Sequence, residues 1–299
     1  MFESMRRRRP DFLLHSGDAV YADEPLTGTV TLPDGRVRRN LVTEEKSKVA
    51  ETLREHRGQY AYNLLDDAYR RFVAEVPQIN QWDDHEVADN WYPGEILDDP
   101  RYTEKRVDVL AARAHADPAR GLLGAAQRAW LINGLRESRA TWKVIANDTP
   151  LGLVVPDRPA AQEGVAQRDP GAQGPRARVR SGASVGPPAR RDRHRVPDRR
   201  RALHRRAPLR PARAAVQDFT PFWEFVSGPA HAGAFGPFPL DRTFGPRAVF
   251  QHAPPAPFTS PAVGFQHFGE VEIDAETREF KVSLRDRDGV NLWSVTLPP

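Results

Sequence analysis

The sequence predicts a layered α/β sandwich, and three patterns along the chain support this prediction. Short apolar runs that end in turn or acidic residues occur at 11–18 and 79–82, with a helical region between them. Apolar and polar residues alternate over the last stretch, 264–299, which indicates antiparallel strands. Strands that alternate with helices early in the chain, followed by antiparallel strands, are typical of layered α/β folds.

The first elements are a strand and a hairpin. Residues 11–18 read as a short buried strand that ends at Gly17, which places Asp18 at its carboxyl end. In open α/β sheets that end is where chemistry occurs. Residues 27–35 follow as a hairpin-like stretch, because the pair Asp34-Gly35 marks a turn.

A helical region and a second strand come next. The pattern becomes helical at Thr43, where Thr-Glu-Glu-Lys supplies an N-cap and early acidic residues. We expect this region to continue to about Ala74, with breaks near Gly58 and Asn63. Residues 79–82 then form the second strand and lead into an acidic cluster.

The second half of the chain contains a helix, a third strand and a β-meander. We expect the third strand at 142–146 and the meander at 264–299, around the turn Asp288-Gly289. The helix, 121–138, is predicted because its apolar residues are spaced by three and four. Those residues are Leu122, Leu123, Ala126, Trp130, Leu131 and Leu135.

Composition excludes several classes of protein. The chain has 299 residues, of which 39% are hydrophobic and 28% charged, so it is long enough for a sizeable core. No apolar run approaches the roughly 18 residues that span a bilayer. The arginines at 6–9 resemble the start of a twin-arginine signal, but the 7 to 15 apolar residues that should follow are missing. The absence of cysteine excludes disulfides, Cys-ligated zinc and thiol nucleophiles.

The charge is concentrated in one segment. Residues 175–211 contain 13 Arg, 2 Asp and no Lys or Glu, a net charge of +11 that leaves −7 for the rest of the chain. This Arg/Pro-rich segment has hardly any large apolar residue, so we expect it to be disordered. Arg-rich runs also serve as nucleic-acid-binding arms, although this one has no aromatic residue for base stacking.

Two acidic clusters at strand ends give the strongest functional signal. They are Gly-Asp-Ala-Val-Tyr at 17–21 and Trp-Asp-Asp-His-Glu at 82–86. Carboxylate and phenolate oxygens suit hard cations, and a bridging carboxylate can hold two metals that clamp a phosphate and activate water. A neighbouring histidine could donate a proton to a leaving oxygen. Alternatively, Asp18 and Asp83 simply cap turns.

At these residues the sequence closely resembles the PhoD-like alkaline phosphatases of the calcineurin-type metallophosphoesterase superfamily. The Asp-Asp-His-Glu block is the specific part of the likeness, whereas Gly-Asp alone is common. The resemblance covers most of the chain outside 175–211. The matching stretches are Arg9–Asp23, Gln81–Pro93, Gln127–Pro150 and Phe222–Pro237.

The resemblance implies a four-layer αββα sandwich with a two-metal site, containing iron and calcium, at the strand ends. Asp18 would be the bridging ligand and Tyr21 a ligand of the iron. Asp84 would take the place of Asn in the Gly-Asn-His motif of related enzymes, and His85 would donate a proton or contact phosphate. Such enzymes hydrolyse phosphomonoesters and phosphodiesters with a metal-activated hydroxide, without a covalent intermediate.

The resemblance also implies substrate contacts and a location. Asn90 would line the substrate mouth, whereas packing is the expected role of the neighbouring Trp91. His231 lies on a Gly-rich loop that could approach the phosphate, or is a surface residue. The substrate would be a small phosphoester, and members of the family are usually exported to the periplasm or the medium.

Two parts of the family pattern are missing from this chain. Family members begin their sheet upstream of the Pro-Asp-Phe segment with a strand that carries a metal-binding Cys, so we expect this chain to be truncated at its N-terminus. The family also has a strand ending in Ala-Asp-Val-His, whose Asp and His complete the metal shell. The Arg/Pro-rich segment occupies that place here.

A change of reading frame would explain the second gap. The codons of Val196–Arg210, read from the second base, permit Phe-Leu-Thr-Ala-Asp-Val-His and its continuation at all fifteen positions. We therefore expect 1–174 and 212–299 to be two parts of one metallophosphatase domain, separated by a frame-shifted segment at 175–211. The chain as written should then have weak activity or none. The competing interpretation is a non-catalytic protein that binds nucleic acid or another polyanion through its arginines.

Overall fold

The chain forms two compact units in a computed structural model. The structure describes residues 1–32, 35–92, 94–114, 125–147, 150–158, 161–163, 214, 219–241, 243–256 and 259–299. The first unit is Met1–Gly121 with Ala146–Asp148, and the second is Leu122–Ile145 with Thr149–Pro299. The Arg/Pro-rich segment, with its predicted frame shift and disorder, lies outside the described residues. Among the described helices, none has the length and apolar character that crossing a membrane requires.

The first unit contains two short parallel strands. Strand β1 (Leu13–Ser16) pairs in parallel with β4 (Gln78–Gln81), with Ser16 opposite Gln81. These are the two strands predicted before the acidic clusters, but β1 is not the buried strand that was expected, since Leu14 is 41% exposed. Because the strands run in parallel, their carboxyl ends meet at one edge of the sheet.

The predicted hairpin is also present in the first unit. Strand β2 (Thr29–Thr31) pairs antiparallel with β3 (Val37–Arg39). Gly35 has a positive φ of 82°, as a turn glycine does. Asp34, the other residue of the predicted turn, lies outside the described residues.

The predicted helical region contains two helices. Helix α2 is Leu53–Asn63 and α3 is Asp67–Glu75, so the predicted break near Asn63 is confirmed. The predicted break near Gly58 is wrong, because Gly58 lies inside α2. A Cβ there would come within 2.2 Å of the Glu45 side chain, so the glycine allows the preceding segment to approach the helix.

The start of the helical region was predicted too early. The segment from Thr43 forms turns, and the N-cap of α2 is Thr52. Thr52 and Glu55 form a capping box, in which each side chain accepts a hydrogen bond from the other residue's backbone N–H.

A helix that was not predicted lies near the start of the chain. Helix α1 (Phe2–Arg7) packs against α3, with the Phe2 ring 4.7 Å from the Tyr69 ring, centroid to centroid. Arg6 donates to Glu75 at 2.9 Å, which ties the two helices together. Arg6, one of the arginines that resemble the start of a twin-arginine signal, therefore forms an ion pair within the first unit.

The core of the first unit lies directly behind the second acidic cluster. It includes residues of helix α4 (Val107–Ala114) and of the loop that follows β4. Trp91 packs against this core, as expected for it. The buried residues of the core are Val49, Val87, Ala88, Tyr102, Leu110 and Ala111.

In the second unit, the predicted helix is present and the predicted third strand is not. Helix α5 is Ala125–Glu137, but Trp130, predicted on its apolar stripe, is 72% exposed. Residues 142–147 form neither helix nor strand. This segment is held by Trp142, whose Nε1 donates to the carbonyl of Arg278 at 2.6 Å. Val144 and Ile145 are exposed, so their apolar pattern did not reflect a buried strand.

The C-terminal meander is confirmed. Strands β7 (His267–Ile273), β8 (Phe280–Asp286) and β9 (Asn291–Leu297) form an antiparallel sheet in the order β7-β8-β9. Gly289, in the predicted turn, has a φ of 87°. A short hairpin, β5 (Val155–Arg158) with β6 (Ala161–Glu163), precedes this sheet in the chain. The mixture of helices with small sheets is compatible with the predicted α/β class.

Candidate metal centre

Both acidic clusters lie just beyond the carboxyl ends of β1 and β4. Gly17 and Asp18 have positive φ angles of 99° and 53°, so the chain turns sharply as it leaves β1. The loop after β4 begins at Trp82 and carries Asp83 to Glu86. The parallel pairing of the strands thus brings two acidic loops to one edge of the sheet.

Three side chains converge at this edge. Asp18, Asp84 and His85 each offer one ligand atom, and these atoms lie within 4.8 Å of one another. All three residues are partly buried. Within the described residues, no other group of three histidines or carboxylates meets this criterion.

Asp18 has one satisfied and one unsatisfied oxygen. Its Oδ2 accepts a hydrogen bond from the Tyr21 hydroxyl at 3.1 Å, while its buried Oδ1 has no hydrogen-bond partner. Burial raises the pKa of Asp18 to about 7; the charge of His85 opposes this rise, and nearby carboxylates add to it. Burial and the adjacent Asp18 also raise the pKa of Tyr21. A buried oxygen without a partner is unfavourable unless something else neutralises it.

Asp84 is fixed by backbone groups of its own loop. Its Oδ1 accepts from the N–H of His85 at 2.8 Å, and its Oδ2 accepts from the N–H of Asn90 in a short contact. Asn90 has a positive φ of 54°, and its side chain donates to Asp89 at 3.3 Å. The backbone of Asn90 therefore orients Asp84.

Glu86 joins the two acidic loops. It is 1% exposed, and its Oε1 accepts from the N–H groups of Ala19 and Val20 at 2.6 and 3.3 Å. Its Oε2 accepts from the N–H groups of Asp18 and Asp83 at 3.3 and 2.8 Å. Burial raises the pKa of Glu86, and these four donors oppose the rise. One carboxylate thus holds the loop after β1 against the loop after β4.

Asp23 orients His85. Its carboxylate lies 2.8 Å from His85 Nδ1 and accepts from the N–H of Asp89, also at 2.8 Å. The Tyr21 ring stacks on the imidazole at 4.2 Å. Burial alone would lower the pKa of His85, but the hydrogen bond to Asp23 and the surrounding carboxylates raise it to about 10. With Nδ1 occupied, His85 can only offer Nε2 to a ligand or substrate.

A family model for the PhoD-like phosphatases matches residues 1–117 and 112–284 of the chain. The chain belongs to the PhoD-like phosphatase family. The resemblance noted in the sequence is thereby confirmed. No curated protein and no solved structure gives a significant match.

PhoD-like phosphatases depend on metal ions, and the cluster of Asp18, Asp84 and His85 fits such an ion. Its donor set is two carboxylates and an imidazole, with a phenol hydrogen-bonded to one carboxylate. The unpartnered Oδ1 of Asp18 and the raised pKa of its carboxyl are what a missing positive charge would leave behind. A cation would satisfy that oxygen and favour the ionised form.

The predicted site residues of this PhoD-like phosphatase fall into two groups. Asp18, Tyr21, Asp84 and His85 come together, and the backbone of Asn90 reaches Asp84. His231 is an exposed residue of the second unit, so its role at the phosphate stays a prediction.

Two supporting residues, Asp23 and Glu86, received no role from the sequence. Both lie inside the stretches that carried the resemblance, so their positions were visible. Their partners were not, because a carboxylate that accepts from backbone N–H groups more than 60 residues away leaves no spacing pattern.

Proposed function

We propose that this PhoD-like phosphatase hydrolyses small phosphomonoesters and phosphodiesters at a metal site that includes Asp18, Tyr21 and Asp84, with His85 beside it as the catalytic residue. The observation that carries the proposal is the convergence of Asp18, Asp84 and His85 within 4.8 Å beside a buried, unpartnered carboxylate oxygen. Turn capping alone would not account for that oxygen, because a capping carboxylate accepts hydrogen bonds from its own turn.

The proposed ligands have distinct roles. Asp18 would hold both ions of a two-metal site, Tyr21 would hold the iron, and Asp84 would be a further ligand, with calcium as the second metal. When bound, the two metals supply Lewis-acid polarisation of the phosphoryl oxygens and lower the pKa of a water. The supporting carboxylate of Glu86 keeps the two loops in the register that these roles require.

His85 would act on the phosphoester through Nε2. Asp23 accepts from Nδ1 and so fixes the plane of the ring. The same contact favours a proton on the imidazole, since it raises the pKa of His85. A proton held at Nε2 could be donated to the leaving oxygen or hydrogen-bond a phosphoryl oxygen. We propose Asn90 and His231 as further substrate contacts.

The proposed architecture is the four-layer αββα sandwich, with the site at its strand ends. Residues 1–174 and 212–299 would form one metallophosphatase domain, and 175–211 would be a frame-shifted segment in place of a core strand. The second stretch that the family model matches, 112–284, runs through this segment, which supports assigning the residues before and after it to one domain. The nucleotide sequence of the gene tests this proposal. Removing one base near the codon of Gly174 and adding one near the codon of Pro211 must restore a frame that encodes Ala-Asp-Val-His.

The activity of the chain tests the same idea. We expect little or no metal-dependent cleavage of a nitrophenyl phosphodiester by the chain as written, because three ligands of the family pattern, a Cys, an Asp and a His, are absent from it. A chain restored in reading frame and extended at its N-terminus should be substantially active. Equal activity of the two chains would show that the Arg/Pro-rich segment replaces nothing essential.

The role of Asp84 is tested in the frame-restored chain. Replacing a supporting residue at a metal site typically weakens metal binding about 10- to 100-fold, so loss of a ligand in Asp84→Ala should reduce cleavage by at least about 100-fold. The matched control is Asp11→Asn, an exposed aspartate before β1. Cleavage that survives Asp84→Ala would refute the proposed site.

The +11 charge of residues 175–211 supports one alternative, a polyanion-binding protein. In that case the chain should be retained on DNA in a salt-dependent way, and deleting 175–211 should abolish the retention. Metal-dependent cleavage without DNA retention would favour the phosphatase.

A further inference from the structure

Two histidines in the second unit are in contact through one ring nitrogen each. His252 Nδ1 lies 2.8 Å from His267 Nε2, and the two rings are almost perpendicular, with centroids 4.9 Å apart. His252 precedes the sheet on a segment outside the helices and strands, and His267 is the first residue of β7. Two chain segments therefore present imidazole nitrogens to one point.

We propose that His252 and His267 form a binding site for a borderline divalent transition ion such as Zn²⁺ or Cu²⁺. Imidazole is a preferred ligand for zinc, copper and nickel, whereas magnesium and calcium prefer oxygen. The site differs in this respect from the carboxylate-rich cluster in the first unit. The proposal is independent of the proposed phosphatase activity.

The surroundings of His267 make its Nε2 the acceptor of a hydrogen bond from His252 Nδ1; a bound ion would replace this bond, and His252 would then carry its proton on Nε2. Its Nδ1 lies 3.4 Å from the carbonyl of Gly228, which can only accept a hydrogen bond, so the ring proton is placed on Nδ1. The lone pair of a neutral ring is then on Nε2, which faces His252. Metal-bound histidines commonly donate their other nitrogen to a backbone carbonyl in this way. The backbone N–H of His267 also donates to the carbonyl of Pro229, at 3.3 Å.

The ring of His252 is held from its other side. Phe265 stacks on it at 5.1 Å with an interplanar angle of 25°. Phe265 has a positive φ of 68°, which is unusual for a residue with a bulky side chain. This conformation directs the phenyl ring onto His252, so local backbone strain is retained at the residue that orients the pair.

The acidic side chain paired with His267 across the sheet already accepts hydrogen bonds from its own turn. Asp286 lies opposite His267 in the β7–β8 pairing, and its Oδ1 accepts from the N–H groups of Asp288 and Val290 at 2.9 and 2.8 Å. Asp286 can therefore contribute negative charge near the pair, while the two nitrogens remain the direct ligands.

A small movement would admit the ion. Zn–N bonds of about 2.0–2.1 Å in tetrahedral geometry place two ligand nitrogens about 3.3 Å apart, so the pair must open by about half an ångström. His252 can move because it is exposed and lies outside the ladder hydrogen bonds of the sheet. Water would complete the coordination.

The test is a calorimetric titration of the tag-free full chain with Zn²⁺, followed by spectroscopy with Cu²⁺. We expect a binding event that His252→Ala and His267→Phe each weaken by more than about tenfold, given the usual cost of altering a metal site. The matched control is His85→Ala, which removes an imidazole from the first unit and should leave this event unchanged. Bound Cu²⁺ should show electron-spin coupling to two imidazole nitrogens, and to at most one in either variant.

Two results would overturn the proposal. One is Zn²⁺ binding that is unchanged in both His252→Ala and His267→Phe. The other is a chain whose only Zn²⁺ event disappears in His85→Ala, which would assign all binding to the first unit. His252→Ala alters an exposed side chain, so it should fold and keep the test decisive even if His267→Phe does not.

Discussion

The edge of the β1–β4 sheet and the C-terminal meander are held together in different ways. In the first unit, strands of four residues end in loops that are joined by two buried carboxylates, Asp23 and Glu86. In the second, three strands of seven residues are joined by backbone pairing along their length, and several residues of the central strand β8 are buried. A site thus depends on individual polar side chains, whereas the meander distributes its stability over many contacts.

The largest effect on stability should come from the buried centre of the meander. Phe280 is 6% exposed and its ring lies 5.1 Å from Trp142, so Phe280→Ala should reduce the free energy of unfolding by about 3–5 kcal/mol. Urea denaturation measures this change. The matched control is Ile273→Ala on β7, where the side chain is 55% exposed and the loss should be much smaller. Equal losses would mean that β8 does not form the buried centre.

Glu86→Gln should break the connection between the acidic loops while preserving side-chain size. An amide replaces one acceptor oxygen with a donor, which leaves backbone N–H groups of one loop without a partner. We expect Mn²⁺ affinity to fall about 10- to 100-fold, as for other residues that support metal ligands. Glu44→Gln, at an exposed position, is the control and should bind like the unaltered chain. Unchanged affinity in Glu86→Gln would show that the loops do not need this residue.

Asp23→Asn should lower the pKa of His85, because the carboxylate that stabilises the charged imidazole is removed. In the unaltered chain the folded pKa of His85, about 10, is above its ordinary value of 6.5. This group therefore contributes stability that is fully present below pH 6.5 and is lost as pH rises through 10. An NMR titration of His85, together with thermal unfolding from pH 6 to 10, measures both effects. A His85 pKa that is the same in both chains would contradict this role of Asp23.

The smallest effect is expected at the capping box of α2. Thr52→Ala removes the hydroxyl that accepts from the N–H of Glu55, and loss of such a cap typically costs about 1 kcal/mol. Thr52→Ser keeps the hydroxyl and should be nearly neutral. Chemical denaturation distinguishes the two variants. We expect the Mn²⁺ affinity of Thr52→Ala to stay unchanged, because the cap is remote from the acidic loops in the sequence. A loss of affinity would show that metal binding depends on this cap as well as on Glu86.

The sequence predicted those features that local patterns determine. Turn residues and alternation located the meander, and two short apolar runs located the parallel strands before the acidic clusters. The same reasoning failed for 142–146, since an apolar run does not reveal whether a neighbouring strand is there to pair with it. It also failed at Gly58, because this glycine does not break the helix but leaves room for the side chain of Glu45.

The candidate site was predicted in the same partial way. Residue chemistry and the family resemblance together identified Asp18, Asp84 and His85. The supporting residues Asp23 and Glu86 could not be assigned, because their function depends on which backbone groups the fold brings to them. Direct ligands are visible in sequence through their type, whereas the residues that orient them become visible only through contacts.

The central claim is that Asp18, Tyr21 and Asp84 hold a divalent cation beside His85, and calorimetric titration of the full chain with Mn²⁺ tests it most directly. Manganese suits a site made largely of carboxylates. We predict a binding event that Asp18→Asn and Asp84→Asn each abolish and that Asp11→Asn preserves. A chain that binds no Mn²⁺, or that binds it equally well after Asp18→Asn and Asp84→Asn, would contradict the claim.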